Sequence, residues 1–200
     1  MLYILCKILL TPLVWLLYRP RVQGLKNLFF RGKAILISNH HDLTDPIDIA
    51  FIAPRIVHFM AKQELFEIPV LRTILRGGLF AFPVNRKHAD MASLKQAMTV
   101  LDKGKVFGIF PEGRRSITGE LDCFEKGAAF LALRCKAPII PIYSDPKAKK
   151  RLRIRMVIGE PMDAAAIAAS HPGRAVEVVT EALQDRIQQL KNELEGWNRE

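Results

Sequence analysis

Cysteine is scarce in this chain: Cys6, Cys123 and Cys135 are the 3 thiols among 200 residues. Their spacing makes neither a metal-binding set nor a thioredoxin-like pair. An odd, sparse set excludes a disulfide framework and points to a reducing compartment. Acidic residues are in deficit as well, 20 Asp+Glu against 30 Lys+Arg, for a formal net charge of +10. Such a surface prefers nucleic acid, anionic lipid or phosphorylated substrates, and charge alone does not choose among them. No internal repeat or low-complexity linker occurs. No Ser or Cys sits in a nucleophile elbow, which argues against a hydrolase that works through an acyl-enzyme. The aromatic-rich strand of a single-strand RNA reader is also missing.

What is present is a core. Half of the residues are hydrophobic, so a disordered chain is excluded. The length suits one domain, with room for a short appendage. Met1 to Tyr18 is apolar apart from Lys7 and Thr11, has Pro12 in its middle, and is followed by Arg19 and Arg21. It has no basic region before it and no small-residue cleavage site, so it fits a signal peptide poorly. It falls slightly short of the ~20 residues a spanning helix needs. Its Trp15, Tyr18 and Arg19 end suits an interfacial anchor. A helix embedded in one leaflet fits best, with a true span and a core helix as the other readings. The expected division is therefore 1–22, an apolar membrane-associating segment, and 23–200, a single domain.

Beyond Gly24 strands and helices alternate. Strands are expected at Ala34–Ser38, Ile56–Met60, Phe80–Val84, Val106–Phe110, Pro138–Ile142 and Arg151–Ile158. Helices are expected at Pro46–Ala53, Glu64–Arg76 and Lys126–Cys135, and in a stretch capped by Asp90 and stopped by Gly104. A last helix, from about Arg174 to Leu194, shows an apolar stripe of Val176, Val179, Leu183, Ile187, Leu190 and Leu194. This alternation implies an α/β fold, a mostly parallel central sheet flanked by helices. In such sheets, sites collect at the carboxyl ends of strands.

Four blocks carry chemistry. In Asn39-His40-His41-Asp42-Leu43-Thr44-Asp45-Pro46, four residues separate His40 from Asp45. A tight turn over that gap brings the carboxylate to one imidazole nitrogen and leaves the other to act as a general base on an alcohol. The plain alternative is a helix cap before Pro46. His41 is the rival base, without an acid at the same spacing. In Phe110-Pro111-Glu112-Gly113-Arg114-Arg115-Ser116, Gly113 permits an unusual φ and Arg115 offers a bidentate grip on phosphate. The Gly77–Arg86 block ends a strand on Arg86, which together with Arg115 could neutralise a phosphate. Ala137-Pro138-Ile139-Ile140-Pro141-Ile142 reads as a buried strand, one wall of an apolar pocket or plain core.

Together, and in this order, the blocks resemble the 1-acylglycerol-3-phosphate acyltransferase family of phospholipid synthesis. The resemblance spans residues 39 to 142 and includes Lys62 in Ala61-Lys62-Gln63-Glu64 and Lys126 in Glu125-Lys126-Gly127. It implies a glycerolphosphate acyltransferase-like fold, His40 as general base and Asp45 as its partner. It further implies phosphate contacts by Arg86, Glu112, Gly113 and Arg115, with Asn39, Lys62 and Lys126 as secondary candidates. No metal and no bound cofactor are implied. The donor would be acyl-CoA or acyl-carrier protein, the acceptor lysophosphatidic acid, and the place the cytoplasmic face of a membrane. Three positions depart from the family's habit: Asp42 for Ser, Arg114 for Thr, and Asn85 for Asp before Arg86. They leave the acceptor head group open, with glycerol 3-phosphate or another lysolipid as alternatives.

The basic run of Lys147, Lys149, Lys150, Arg151, Arg153 and Arg155 suits docking to an anionic leaflet, or a plain solvated strand. A non-catalytic basic module for membrane or nucleic acid accounts for that run and the net charge. It gives no reason for a His-Asp pair and an arginine loop on one sheet edge, so no nucleic-acid partner is expected.

Overall fold

A computed structural model of the chain describes residues 11–13, 15–84, 91–116, 118–149 and 153–197. Seven strands form one sheet: β1 (Arg21–Gln23), β2 (Ala34–Ser38), β3 (Val57–Lys62), β4 (Phe82–Val84), β5 (Val106–Ile109), β6 (Ile139–Ser144) and β7 (Arg155–Ile158). Their spatial order is β1-β7-β6-β2-β5-β3-β4. All neighbours are parallel except β6 and β7. The expected α/β sheet is thus the observed one.

Strand β2 shows why the sheet is central. All five of its residues are buried, as in a parallel sheet covered on both faces. Its side chains alternate: Ile35 and Ile37 join one core cluster, Ala34 and Leu36 the other. Helix α1 (Asp45–Ile52) supplies Ile49 and Ile52 to the Leu36 side. On the opposite face lie α3 (Met91–Asp102), α4 (Gly127–Cys135) and α7 (Ala175–Gly196). Helix α7 buries Val179, Leu183, Ile187, Leu190 and Leu194, the expected stripe at helical spacing.

The expected continuous helix over residues 64–76 is corrected. A 3-10 turn covers Gln63–Phe66, Ile68 is extended, α2 covers Pro69–Thr73, and a π turn runs through Ile74–Gly78. Pro69 forces the break, because it disfavours a helical residue before it and has no N–H to continue the ladder. The last strand is also shorter than expected, Arg155–Ile158, preceded by α5 (Pro146–Lys149) and followed by α6 (Ala164–Ala168). Strand β1, too short to read in the sequence, pairs along β7 and contains the expected division between residues 22 and 23. No helix among the described residues is long and apolar enough to cross a membrane.

Candidate active site

Strand β2 lies mid-sheet, between β6 and β5, and residues 39–44 leave its carboxyl end. Helix α1 opens at Asp45 with Pro46 in its first turn. That tight exit folds Asp45 back beneath the loop, where it is fully buried. Its Oδ2 accepts from His40 Nδ1 at 3.0 Å and from the backbone N–H groups of His41 and Asp42 at 2.8 Å each. Burial works against the charge of this carboxyl. The His40 hydrogen bond, the nearby His41 and the two backbone donors outweigh it and hold its pKa below the usual carboxylate value. The helix cap expected as the alternative is not formed: Thr44 is the capping residue, without a side-chain cap bond, and Asp45 opens the helix with its carboxylate turned back to the loop.

His40 is buried to 8% exposure. With Nδ1–H given to Asp45, Nε2 carries the lone pair. Phe110 stacks on the imidazole, centroids 4.2 Å apart and planes inclined by 22°. His41 also faces Asp45, its Nε2 3.6 Å from Oδ1, which the sequence spacing did not suggest. Its Nδ1 lies 3.3 Å from Asn39 Nδ2, so both of its nitrogens are turned to protein groups. Of the two, His40 is placed to act as a base.

Four bonds fix this loop to its neighbours. Asn39 continues the β6 edge with its side chain, giving Nδ2–H to the Ser144 carbonyl at 2.9 Å and accepting from the Ser144 N–H at 2.8 Å. The Ser116 N–H donates to the His40 carbonyl at 2.7 Å. Glu112 Oε1 accepts from the His40 N–H at 3.0 Å, and Oε2 from the Asp122 N–H at 3.3 Å. Burial raises the Glu112 pKa, with the Asp122 and Asp45 charges adding, while the two N–H donors pull it down.

The loop after β5 turns at Gly113, whose φ is +67°, a conformation that costs glycine little. Arg114 pairs with Asp122 at 3.1 Å. Arg115 is exposed and forms no ion pair among the described residues. Lys62 ends β3 on this same rim, exposed and paired to Glu64 at 3.2 Å. Lys126 precedes α4 and pairs with Glu177 at 2.6 Å, outside the hydrogen-bonded cluster around His40. Arg86 lies outside the described residues. His40, Asp45, Asn39 and Glu112 therefore form one bonded cluster, and Gly113 and Arg115 lie on its rim. Phe110 and Ser144 were missed as partners, since an apolar residue inside a motif and a backbone group on a distant strand leave no sequence signal. No group of His, Cys, Asp and Glu among the described residues is arranged to hold a metal ion. The arrangement can withdraw a proton from an alcohol at the rim and stabilise the resulting imidazolium.

The Acyltransferase family model matches residues 19–145. A 1-acyl-sn-glycerol-3-phosphate acyltransferase of Bacillus subtilis is 33% identical over 181 residues, 88% of this chain and 89% of that protein. The human 1-acyl-sn-glycerol-3-phosphate acyltransferase beta is 34% identical over 130 residues, 62% of this chain and 45% of its own length. The chain thus spans most of the bacillar relative and about half of the longer human one. In fold it resembles the crystal structure of the 1-acyl-sn-glycerophosphate acyltransferase PlsC of Thermotoga maritima, with a TM-score of 0.68 at 24% identity, covering 92% of this chain and 81% of that one.

Proposed function

The chain belongs to the 1-acyl-sn-glycerol-3-phosphate acyltransferase family, and from that membership we propose that it moves a fatty acyl group from acyl-CoA or acyl-carrier protein to the free 2-hydroxyl of 1-acyl-sn-glycerol 3-phosphate. The product is phosphatidic acid. The observation that carries the mechanism is the 3.0 Å bond from His40 Nδ1 to buried Asp45, which leaves Nε2 as the base. Nε2 takes the hydroxyl proton. The oxygen attacks the thioester carbonyl, the carbon–sulfur bond breaks, and the thiolate leaves and recovers the proton from the imidazolium. No acyl-enzyme is formed. General-base help of this kind is worth ~10²–10⁴-fold in rate.

Arg115, with Arg86, neutralises the acceptor phosphate by planar two-pronged contacts. Gly113 lets the backbone come close to that head group. Glu112 acts through the loop, holding the His40 N–H, and Asn39 fixes the same loop to β6. Residues 1–22 and the exposed basic residues Lys147 and Arg153 hold the domain on the cytoplasmic face of an anionic membrane, where a lipid acceptor is already present; Arg155 is instead paired with buried Asp145.

Transfer of labelled acyl groups from CoA and from carrier protein to lysophosphatidate tests the proposal. His40→Ala should lose ~10²–10⁴-fold in kcat with the fold intact, and Arg115→Ala should raise KM for the acceptor. An active His40→Ala enzyme rules out the base. An acceptor panel that includes glycerol 3-phosphate, run with one donor, decides the acceptor.

A further inference from the structure

The carboxyl edge of the sheet carries exposed apolar side chains at both ends. Strand β7 runs back against β6, with Ser144 opposite Met156, and β1 follows β7 with Arg21 beside Arg155. The start of β1 therefore lies at the edge where β2 ends. Helical residues 15–18 precede it there, tied in by the Ile154 N–H to the Tyr18 carbonyl, and expose Trp15, Leu16 and Leu17.

The other end of that edge belongs to β3 and the chain that leaves it. Phe66 and Leu79 are buried and anchor the segment between them. Within it, Ile68, Val70 and Ile74 are exposed, Val70 to 70%. Val70 and Ile74 are four residues apart and share one face of α2 and its π turn. Arg72 and Arg76 lie beside them, Glu67 stands exposed just before Ile68, and Glu64 is paired with Lys62. Midway between the two ends, Leu43 is 63% exposed in the loop between His40 and Asp45. Five strand spacings separate β1 from β3, about 24 Å.

We propose that residues 68–76 are a second membrane-inserting element, which lays Val70, Ile74 and Ile68 into an anionic leaflet opposite the N-terminal helix. Single exposed apolar residues on a surface are ordinary. Three on one short, anchored, arginine-flanked element are not. Two apolar supports about 24 Å apart define a line along the sheet edge rather than a point. Leu43 lies between them, and that line sets the edge carrying His40 against the bilayer. Arg72 and Arg76 match the sign of the leaflet, which gives ~1 kcal/mol per basic residue near the surface. The inference does not depend on which donor or acceptor the enzyme uses.

An environment-sensitive fluorophore on Val70→Cys, in the full chain with Cys6→Ser and Cys123→Ser, reads the contact directly. Cys135 is buried with a raised thiol pKa and does not compete for label. Vesicles of phosphatidylcholine with phosphatidylglycerol should shift the emission to the blue, and a quencher on the lipid chains should quench it. The unlabelled V70E/I74E variant should bind these vesicles at least about tenfold more weakly. It should keep the parent's melting temperature and its turnover of a short-chain, water-soluble acceptor. A fluorophore that stays water-like on vesicle-bound protein overturns the proposal, as does unchanged vesicle affinity of V70E/I74E. A blue shift that arises without vesicles, together with a dimer in sedimentation, also overturns it in favour of a second copy of the chain.

Discussion

Phe110 lies against the His40 imidazole at 4.2 Å and stacks with Phe59 of β3 at 6.0 Å. Phe59 in turn pairs across the sheet with Gly108, where an added Cβ would sit 2.3 Å from the Phe59 ring. A column of two rings, with room for its far end only because residue 108 has no side chain, thus sets one wall against the His40 imidazole.

Gly108→Ala should press that column toward His40. The expected cost is about 1–3 kcal/mol of stability, as for other overpacked cores, with kcat falling more than KM rises. Phe59→Leu added to Gly108→Ala should recover part of both losses. Thermal melts and acyl-transfer kinetics on the two variants check this. A Gly108→Ala enzyme with native melting and kcat would show that the rings do not hold the imidazole.

Asp45→Asn keeps the size of the side chain and can still accept from the His41 and Asp42 amides. It cannot stabilise an imidazolium. We expect kcat to drop by ~10²–10⁴-fold, with acceptor KM little changed. The carboxyl's pKa is depressed in the folded protein, so its stabilisation is complete above the unfolded value near ~4 and disappears as pH falls below it. The stability gap between parent and variant should therefore narrow in urea titrations below about pH 4. A gap independent of pH would contradict the charged pair.

Glu112 separates bracing from charge. Its oxygens serve two backbone amides, and its pKa is raised by burial. Glu112→Gln keeps an acceptor and should fold with nearly the parent's melting temperature at neutral pH. Glu112→Ala strands buried donors and should lose about 1–3 kcal/mol, together with most of kcat. Equal losses in Gln and Ala variants would assign the carboxylate to substrate rather than to the loop.

His58 sets an acid limit on the fold. It is buried on β3 against Phe80, its Nδ1 has no hydrogen-bond partner among the described residues, and burial with the Lys105 charge lowers its pKa from 6.5 to about 4. The folded state therefore binds fewer protons than the unfolded one across that window, and stability falls as pH drops from 6.5 toward 4. His58→Leu should flatten this decline by on the order of 2 kcal/mol and leave activity at neutral pH unchanged. Denaturation midpoints at neutral, mildly acid and more acid pH measure it. Parallel slopes in parent and variant would refute it.

The sequence was informative where residue type alone decides. The Leu183 stripe of α7 announces its buried face, because a helix surface repeats at fixed spacing. The apolar run of β2 announces a strand covered on both sides. The His40 to Asp45 gap announces a turn that closes on itself. Legibility fails where the deciding partner is far along the chain. Glu112 reads as a group free to meet substrate, since nothing nearby shows that the His40 amide claims it. Ile68 reads as helical from its neighbours, although Pro69 forbids it. Arg21–Gln23 is too short for a pattern and becomes a strand only because β7 offers an edge.

The bonds from Asn39 to Ser144, from Ser116 to His40 and from Glu112 to His40 join the ends of three strands. The turn that pairs His40 with Asp45 is therefore not a portable cassette. Grafting residues 39–45 alone onto another sheet would carry the two side chains without the supports that aim them. A working transplant has to bring the exits of β5 and β6 as well.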